Sequence, residues 1–517
     1  MLSRFCESMG VRSPENMLSQ RRESMAPRLP LDTGAAAPHA GVMRVLVINS
    51  NRERAPWPVP PMGACAVASS ARAAGHEVRF LDLCFVRDPA RAVRQAAAEF
   101  RPEVLAVTIR NIDNCDWQAS RPFLPAIRAR IVAPARAAAP CPVVLGGPAV
   151  SLMPREFLEF FQADYAIAGD GEAAFVDLLA ALAAGKPVDA IEGLAWRDAG
   201  GVHRNPPSRI ADVGRLPLPE PQRWIDLAQY ASYGGFPGVQ TKRGCALTCT
   251  YCAYNLVEGS CYRLKPPERV GDEVAALVGA GARHVEFVDS TFNVPLDHAL
   301  DVCRMLARRR FPAEFSTMGI NPQAVTEELF RRMAEAGFSE LAMTPETAAP
   351  EMLEALGKGF TVEELERAVA VVRRSRLPFT WYFLFGGPGE TADTVRRTLE
   401  FIRSHIPGDH LVVMVSGIRI IPGSPLERRA REEGMLAPGQ DLLKPAFYRP
   451  PIGREELFRL LDEAGARHPN YFVLRDEHVP RALLRAASAA KRFLRLRRPM
   501  WHYAVAYRRL AAALGLR

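Results

Sequence analysis

Thr241-Lys242-Arg243-Gly244-Cys245-Ala246-Leu247-Thr248-Cys249-Thr250-Tyr251-Cys252 places three cysteines at CxxxCxxC spacing in one short loop. The loop follows an apolar run at 237–242 that reads as a strand. Three thiolates on so short a segment can converge on one soft metal centre. A structural zinc site would want a fourth Cys or His, and Cys261 is the nearest candidate. Three ligands alone suit a [4Fe–4S] cluster that leaves one iron open to a ligand from outside the protein.

Outward from this loop the pattern alternates strand and helix. Strand-like runs fall at 284–289, 313–318, 339–343, 379–385 and 411–421, with helical periods at 267–281, 296–309, 325–337, 362–375 and 391–405. Six β/α repeats over 237–425 predict a partial (β/α)6 barrel, which carries its active residues at the carboxyl ends of its strands. Upstream, 43–200 alternates in the same way, with strands at 44–49, 77–82, 103–109, 142–146 and 165–168 and helices at 62–75, 88–100, 119–139 and 171–184. That reads as a doubly wound, Rossmann-like (flavodoxin-like) α/β domain. A Pro-rich stretch, 201–236, reads as a linker, 426–517 as a helical C-terminal region, and 1–41 as a disordered arm or a misassigned start.

The cysteine loop, with aromatic Tyr251 just before the last Cys, resembles the signature of the radical S-adenosylmethionine (SAM) enzymes. The resemblance implies a [4Fe–4S] cluster on Cys245, Cys249 and Cys252, its open iron chelated by SAM, and reductive cleavage of SAM to a 5′-deoxyadenosyl radical. It also implies SAM contacts at Tyr251, at Asp289 and Ser290 after the second strand, and at Glu346 after the fourth. Gly386 and Gly387 after the fifth and Ile420 on the sixth complete the set.

Residues 43–200 resemble the cobalamin (B12)-binding domain that precedes the radical SAM barrel in one large subgroup. Pro60-Pro61-Met62-Gly63, Gly75-His76-Glu77-Val78, Gly146-Gly147-Pro148 and Gly169-Asp170-Gly171-Glu172 carry the match. It implies cobalamin contacts at Ser50, Gly63, Arg110, Asn111, Gly146, Gly147, Gly169, Gly171 and Glu172. One departure stands out. Domains that ligate cobalt through His use Asp-x-His-x-x-Gly after the first strand, whereas this chain has Asn49-Ser50-Asn51-Arg52-Glu53-Arg54. Either cobalamin binds with no protein His beneath it, Arg110 to Asp113 being the lower-face candidates, or the domain is vestigial.

The two resemblances together imply a cobalamin-dependent radical SAM enzyme. The reaction expected is methylation of an unactivated carbon (or phosphorus) of a small-molecule, lipid or natural-product substrate. Oxidative cyclisation or rearrangement is the alternative, and a non-catalytic iron–sulfur protein a third. An external one-electron reductant such as flavodoxin or ferredoxin would be a partner.

Composition sets the outer limits. Hydrophobic residues are 48% and charged residues 24% of 517, which excludes wholesale disorder, collagen and coiled coil. Mean hydropathy is −0.06, with no apolar run long enough for a polytopic membrane protein. Ten cysteines are too few for a disulfide scaffold, and the opening residues carry no secretory pattern, so a cytoplasmic enzyme with reduced thiols is expected. The net charge of +9 invites a nucleic-acid reading. Residues 481–517, however, hold ten Lys and Arg and no acid, which leaves the rest of the chain at −1. A nucleic-acid partner is therefore not expected. The basic tail is either a solvated helix packed on the barrel or a surface for anionic lipid or an acidic partner.

Overall fold

The computed structural model describes residues 41–54, 57–375, 377–474 and 505. The N-terminal arm and nearly all of the basic tail lie outside the described residues.

Seven strands build the first sheet: β1 (Arg44–Asn49), β2 (Glu77–Asp82), β3 (Val104–Thr108), β4 (Val143–Gly146), β5 (Tyr165–Ile167), β6 (Leu194–Asp198) and β7 (Gly201–Arg204). Their order is β2-β1-β3-β4-β5-β6-β7. The first five are parallel, in flavodoxin-like order. Parallel strands are covered on both faces, so they read as continuous apolar runs. Val45, Leu46 and Ile48 are fully buried accordingly. β6 and β7 form an antiparallel hairpin on the edge that the sequence pattern does not mark. β6 carries Trp196, Arg197 and Asp198 on a half-exposed ribbon, with no apolar run. The helix expected at 119–139 begins only at Leu124 and passes through a π-turn at Arg128–Val132. Pro134, with no N–H for a helix bond, follows that turn directly. The freed residues 109–123 form a long loop at the end of β3.

The second sheet holds β8 (Gly238–Val239), β11 (His284–Phe287), β12 (Glu314–Ile320), β13 (Phe338–Glu346), β14 (Phe379–Phe385) and β15 (Leu411–Ser416). They are parallel and run in simple sequence order, the topology of a partial barrel. A seventh strand, β16 (Tyr471–Val473), joins the β15 edge from the otherwise helical C-terminal region. Two further short strands, β9 (Lys242–Arg243) and β10 (Arg263–Leu264), pair antiparallel beside the barrel mouth and bracket the cysteine loop.

Alternation along the barrel strands decides which side chains meet the helices. Val285, Phe287, Phe315, Phe379, Trp381 and Phe383 face outward into the main core. Each such ring removed from water contributes about 2 kcal/mol. The intervening residues, including Glu286, Val288, Met318 and Tyr382, face the concave side. On that side Val505, from the C-terminal segment, packs with Leu411 and Val413.

Candidate functional site

The cysteine loop is pinned by backbone. Cys245 N–H donates to Gly259 O at 3.0 Å, Thr250 N–H to Leu356 O at 3.0 Å, and Leu426 N–H to Thr250 O at 2.9 Å. Gly244 has φ +92°, and a Cβ there would run into the Cys261 carbonyl, so only glycine fits just ahead of Cys245. Cys245 and Cys249 are buried, Cys252 is half-buried, and none is in a disulfide.

The three thiols lie close enough to repel one another's charge. Burial raises the Cys249 thiol, Lys358 opposes that, and Cys245 adds to it. Burial likewise pushes Cys252 up to about 12, with Cys249 and Cys245 adding to the rise. Among the described residues no three His, Cys, Asp or Glu side chains converge tightly enough for a single ion. A donor set that is all sulfur and three-fold fits a four-iron cluster with one iron left open, whereas structural zinc takes four ligands.

Tyr251 stands beside the cysteines with its O–H donating to Glu346 Oε1 at 2.9 Å. Burial and the Glu346 charge hold that phenol well above its usual range, so it stays a donor. Glu346 ends β13 in the left-handed region, φ +69°, a strained choice for a residue with a Cβ. Lys358, nearly buried, reaches the same Oε1 at 3.4 Å and donates to Thr344 O at 3.1 Å. The sequence pattern does not single out Lys358. Its setting between Gly357 and Gly359 was the available signal, since Gly357 has φ +63° and a Cβ there would sit 2.7 Å from Thr248 O.

Other expected SAM contacts have different partners. Asp289 is buried beneath the loop, where Oδ1 accepts from Thr241 N at 2.8 Å and Lys242 N at 3.2 Å, and Oδ2 from Thr241 Oγ1 at 2.9 Å. The wholly buried Lys242 ammonium lies 3.7 Å away. Ser290 Oγ donates to Gly244 O at 3.0 Å. Both brace the loop from below, the carboxylate accepting from two buried backbone N–H groups and Ser290 donating to a carbonyl. Gly386 N–H donates to Glu390 Oε2 at 3.1 Å, and a Cβ on Gly387 would meet Met352 Cε at 3.0 Å, so this turn packs against protein. Ile420 N–H is taken by Ala446 O at 2.8 Å.

In the first domain, Gly63 and Gly146 face open space, with nothing within 4 Å of an added Cβ, as a cradle for a flat ring requires. Arg110 and Asn111 are exposed at the end of β3. The remaining expected contacts turn inward. Ser50 Oγ donates to Thr108 O at 2.6 Å. A Cβ on Gly147 would lie 2.6 Å from Ile109 O, one on Gly171 3.2 Å from Val67 Cγ2, and one on Gly169 inside the Ser208 carbonyl. Glu172 is engaged by Arg243 of the barrel, Arg243 Nη2 donating to Oε1 at 2.5 Å.

That last contact belongs to a set in which the carboxyl ends of the two sheets face each other. Arg419, beyond β15, meets buried Asp113 at 2.6 Å. Trp117 seats on Gly417, and Arg454 stacks 5.6 Å over its ring. The charge of Arg110 reaches both Tyr254 and Glu286. Val288, Met318 and Tyr254 line the barrel side of this junction with 37%, 44% and 45% exposure, unusual for large apolar groups beside a parallel sheet.

Comparison with known proteins agrees with this geometry. The profile of the Radical SAM superfamily matches residues 239–402, and that of the B12 binding domain matches 52–179. A tryptophan 2-C-methyltransferase of Streptomyces laurentii is 27% identical over 75% of this chain and 74% of its own. An uncharacterized methyltransferase of Pyrococcus horikoshii is 27% identical over 70% of this chain and 78% of its own. The structure of the radical SAM methyltransferase TsrM from Kitasatospora setae, with cobalamin and [4Fe–4S] cluster bound, superposes with a TM-score of 0.75 at 24% identity, covering 88% of this chain and 99% of that one. A three-thiol loop at the mouth of a partial barrel, opposed by an open-cradled flavodoxin-like sheet, thus occurs here with both matching profiles: the chain carries a B12 binding domain followed by a domain of the Radical SAM superfamily.

Proposed function

We propose that the protein is a cobalamin-dependent radical SAM methyltransferase that methylates an unactivated carbon of a small molecule. The observation that supports this most directly is the opposition of the two sheets' carboxyl ends. A ligand held at Gly63 and Gly146 would look across the junction at the Cys245–Cys252 loop. The cofactors, when bound, supply one-electron reduction of SAM and a corrin-carried methyl group; the protein supplies placement and exclusion of water.

In this reading Cys245, Cys249 and Cys252 hold the cluster. Tyr251 and Lys358 both hold Glu346 at Oε1, leaving Oε2 for the SAM amino group or ribose. Arg110, at the end of β3, lies on the corrin side of the junction. The concave barrel face offers the substrate Glu286 and Tyr382 as polar groups and Val288 and Met318 as apolar wall. This suits a compact molecule with an N–H or cationic end, as tryptophan is for the Streptomyces relative. A flavodoxin- or ferredoxin-type donor and a cytoplasmic setting complete the reading. Among the described residues no helix is long and apolar enough to cross a membrane. Whether the tail meets anionic lipid is decided by salt-sensitive liposome binding, compared with a chain ending near Pro480.

Anaerobically reconstituted protein, given hydroxocobalamin, a reductant and SAM labelled in its methyl group, should form S-adenosylhomocysteine and pass label to tryptophan or a related indole or amine. Turnover of SAM without any S-adenosylhomocysteine would sink methyl transfer and favour cyclisation or rearrangement.

A further inference from the structure

The glycine turn expected to meet cobalamin and the approach to the cysteine loop are each other's partners. Gly169-Asp170-Gly171-Glu172 opens the helix Gly171–Ala184 of the first domain. Lys242-Arg243-Gly244-Cys245 leads into the cysteine loop. Arg243 Nη1 donates to Asp170 Oδ1 at 3.0 Å and to Glu172 Oε2 at 3.1 Å, and Nη2 donates to Glu172 Oε1. Arg263, paired with Arg243 across β9 and β10, also donates to Asp170, and to Ile210 O at 2.7 Å. Side-chain exposure is 18% for Arg243, 5% for Asp170 and 6% for Glu172.

Two carboxylates and two guanidinium groups balance, and the neighbouring Arg209 and Glu258 balance each other, so the set leaves no net charge for a ligand. Buried pairs of this kind add little net stability against apolar packing, yet the flat guanidinium fork accepts its partners in one geometry only. The fork sits two residues before Cys245. Its carboxylate partners lie in the turn that follows β5, on the side of the sheet where the open glycine cradle faces the barrel.

We propose that Arg243 is a positioning residue that locks the 169–172 turn of the first domain to the cysteine loop, and so sets the separation between the corrin and the iron–sulfur cluster. The proposal rests on the cofactor assignment above. Neither Asp170 nor Glu172 touches cobalamin in this scheme; they act through Arg243. Lysine at 243 would keep the charge and lose the fork, reaching one carboxylate where arginine holds two.

Full-length Arg243→Lys and the milder Glu172→Gln, reconstituted with both cofactors, test this. In hydrogen exchange, either variant should speed exchange about 10-fold in both segments, 166–173 and 241–250, because loss of about one charge-assisted bond unlocks the two together. With cluster reduced and cobalt as cob(II)alamin, dipolar EPR should show a shifted or broadened separation while each centre keeps its own spectrum. Turnover should fall about 100-fold with little change in KM for SAM, the expected result of a displacement near 1 Å. Exchange changed only in the substituted segment, or a separation unchanged in both variants, would overturn the proposal. A wild-type protein that takes up no cobalt would instead sink the function proposed above. The paired exchange would still decide the lock.

Discussion

Tyr251 donates its phenolic proton to Glu346 Oε1, joining the cysteine loop to the end of β13 across 95 residues of chain. Lys358 meets the same oxygen, so one carboxylate oxygen serves two donors beside the thiols. A strained φ at Glu346 is worth keeping only if it aims the other oxygen. Glu346→Gln and Lys358→Met are therefore expected to weaken SAM binding by about 10- to 100-fold, the cost of one or two charge-assisted bonds. Equilibrium binding of SAM, read with the change it causes in the reduced cluster's EPR signal, checks this.

Replacing any one of Cys245, Cys249 and Cys252 by Ala should abolish the visible absorbance and most bound iron of the reconstituted protein. The fold should survive, because the loop is held by bonds such as Thr250 N–H to Leu356 O at 3.0 Å that need no sulfur. Iron analysis alongside far-UV circular dichroism separates loss of ligand from loss of structure.

Glu286 faces the concave side of the barrel, and burial, helped by Glu340, lifts its carboxyl to about 7 from an ordinary 4.5. Between those values the folded protein keeps a proton that the unfolded chain releases. Stability should therefore fall as pH rises from about 4.5 to 7, by about 2–3 kcal/mol in all from this group. Glu286→Gln should flatten that window. Denaturant melts at pH 5 and pH 7.5 for the two proteins would show it, and equal slopes would refute it.

Gly417 has φ +84°, and Trp117 occupies the space a Cβ would need. Gly417→Ala should destabilise the protein by about 2 kcal/mol or more, combining left-handed strain with overpacking. The penalty should be smaller in a Trp117→Gly background, since removing Trp117 from its Cβ outward, 2.4 Å from the added methyl, relieves the clash and not the strain. Thermal unfolding of the single and double variants measures the difference.

What could be read in advance depended on how local the signal was. Val45-Leu46-Val47-Ile48 and its counterparts announce parallel strands because both faces are buried. The β6–β7 hairpin, with one face exposed, leaves no such mark, and neither does three-residue β16. The cysteine cluster is legible because all three thiols share eight residues. Arg243 and Glu172 lie 71 residues apart, and no period links them. Asp289 shows a different limit. Its place after the second strand is as expected, but only packing reveals that its oxygens accept from Thr241 and Lys242. Lys358 escaped because a lone lysine between glycines looks like any surface turn.

The loop at 109–123 has an evolutionary corollary. Its Asp113 and Trp117 are keyed to Arg419 and Gly417 of the barrel, as Asp170 and Glu172 are to Arg243. The two domains are thus not interchangeable cassettes. A chimera that grafts another cobalamin domain onto this barrel would import a mismatched key unless both contact sets travelled with it. Recombination between relatives should therefore succeed when crossovers preserve these pairs, and fail when a crossover in the 205–236 segment separates them; the linker expected at 201–236 begins only after β7, whose residues 201–204 belong to the first sheet.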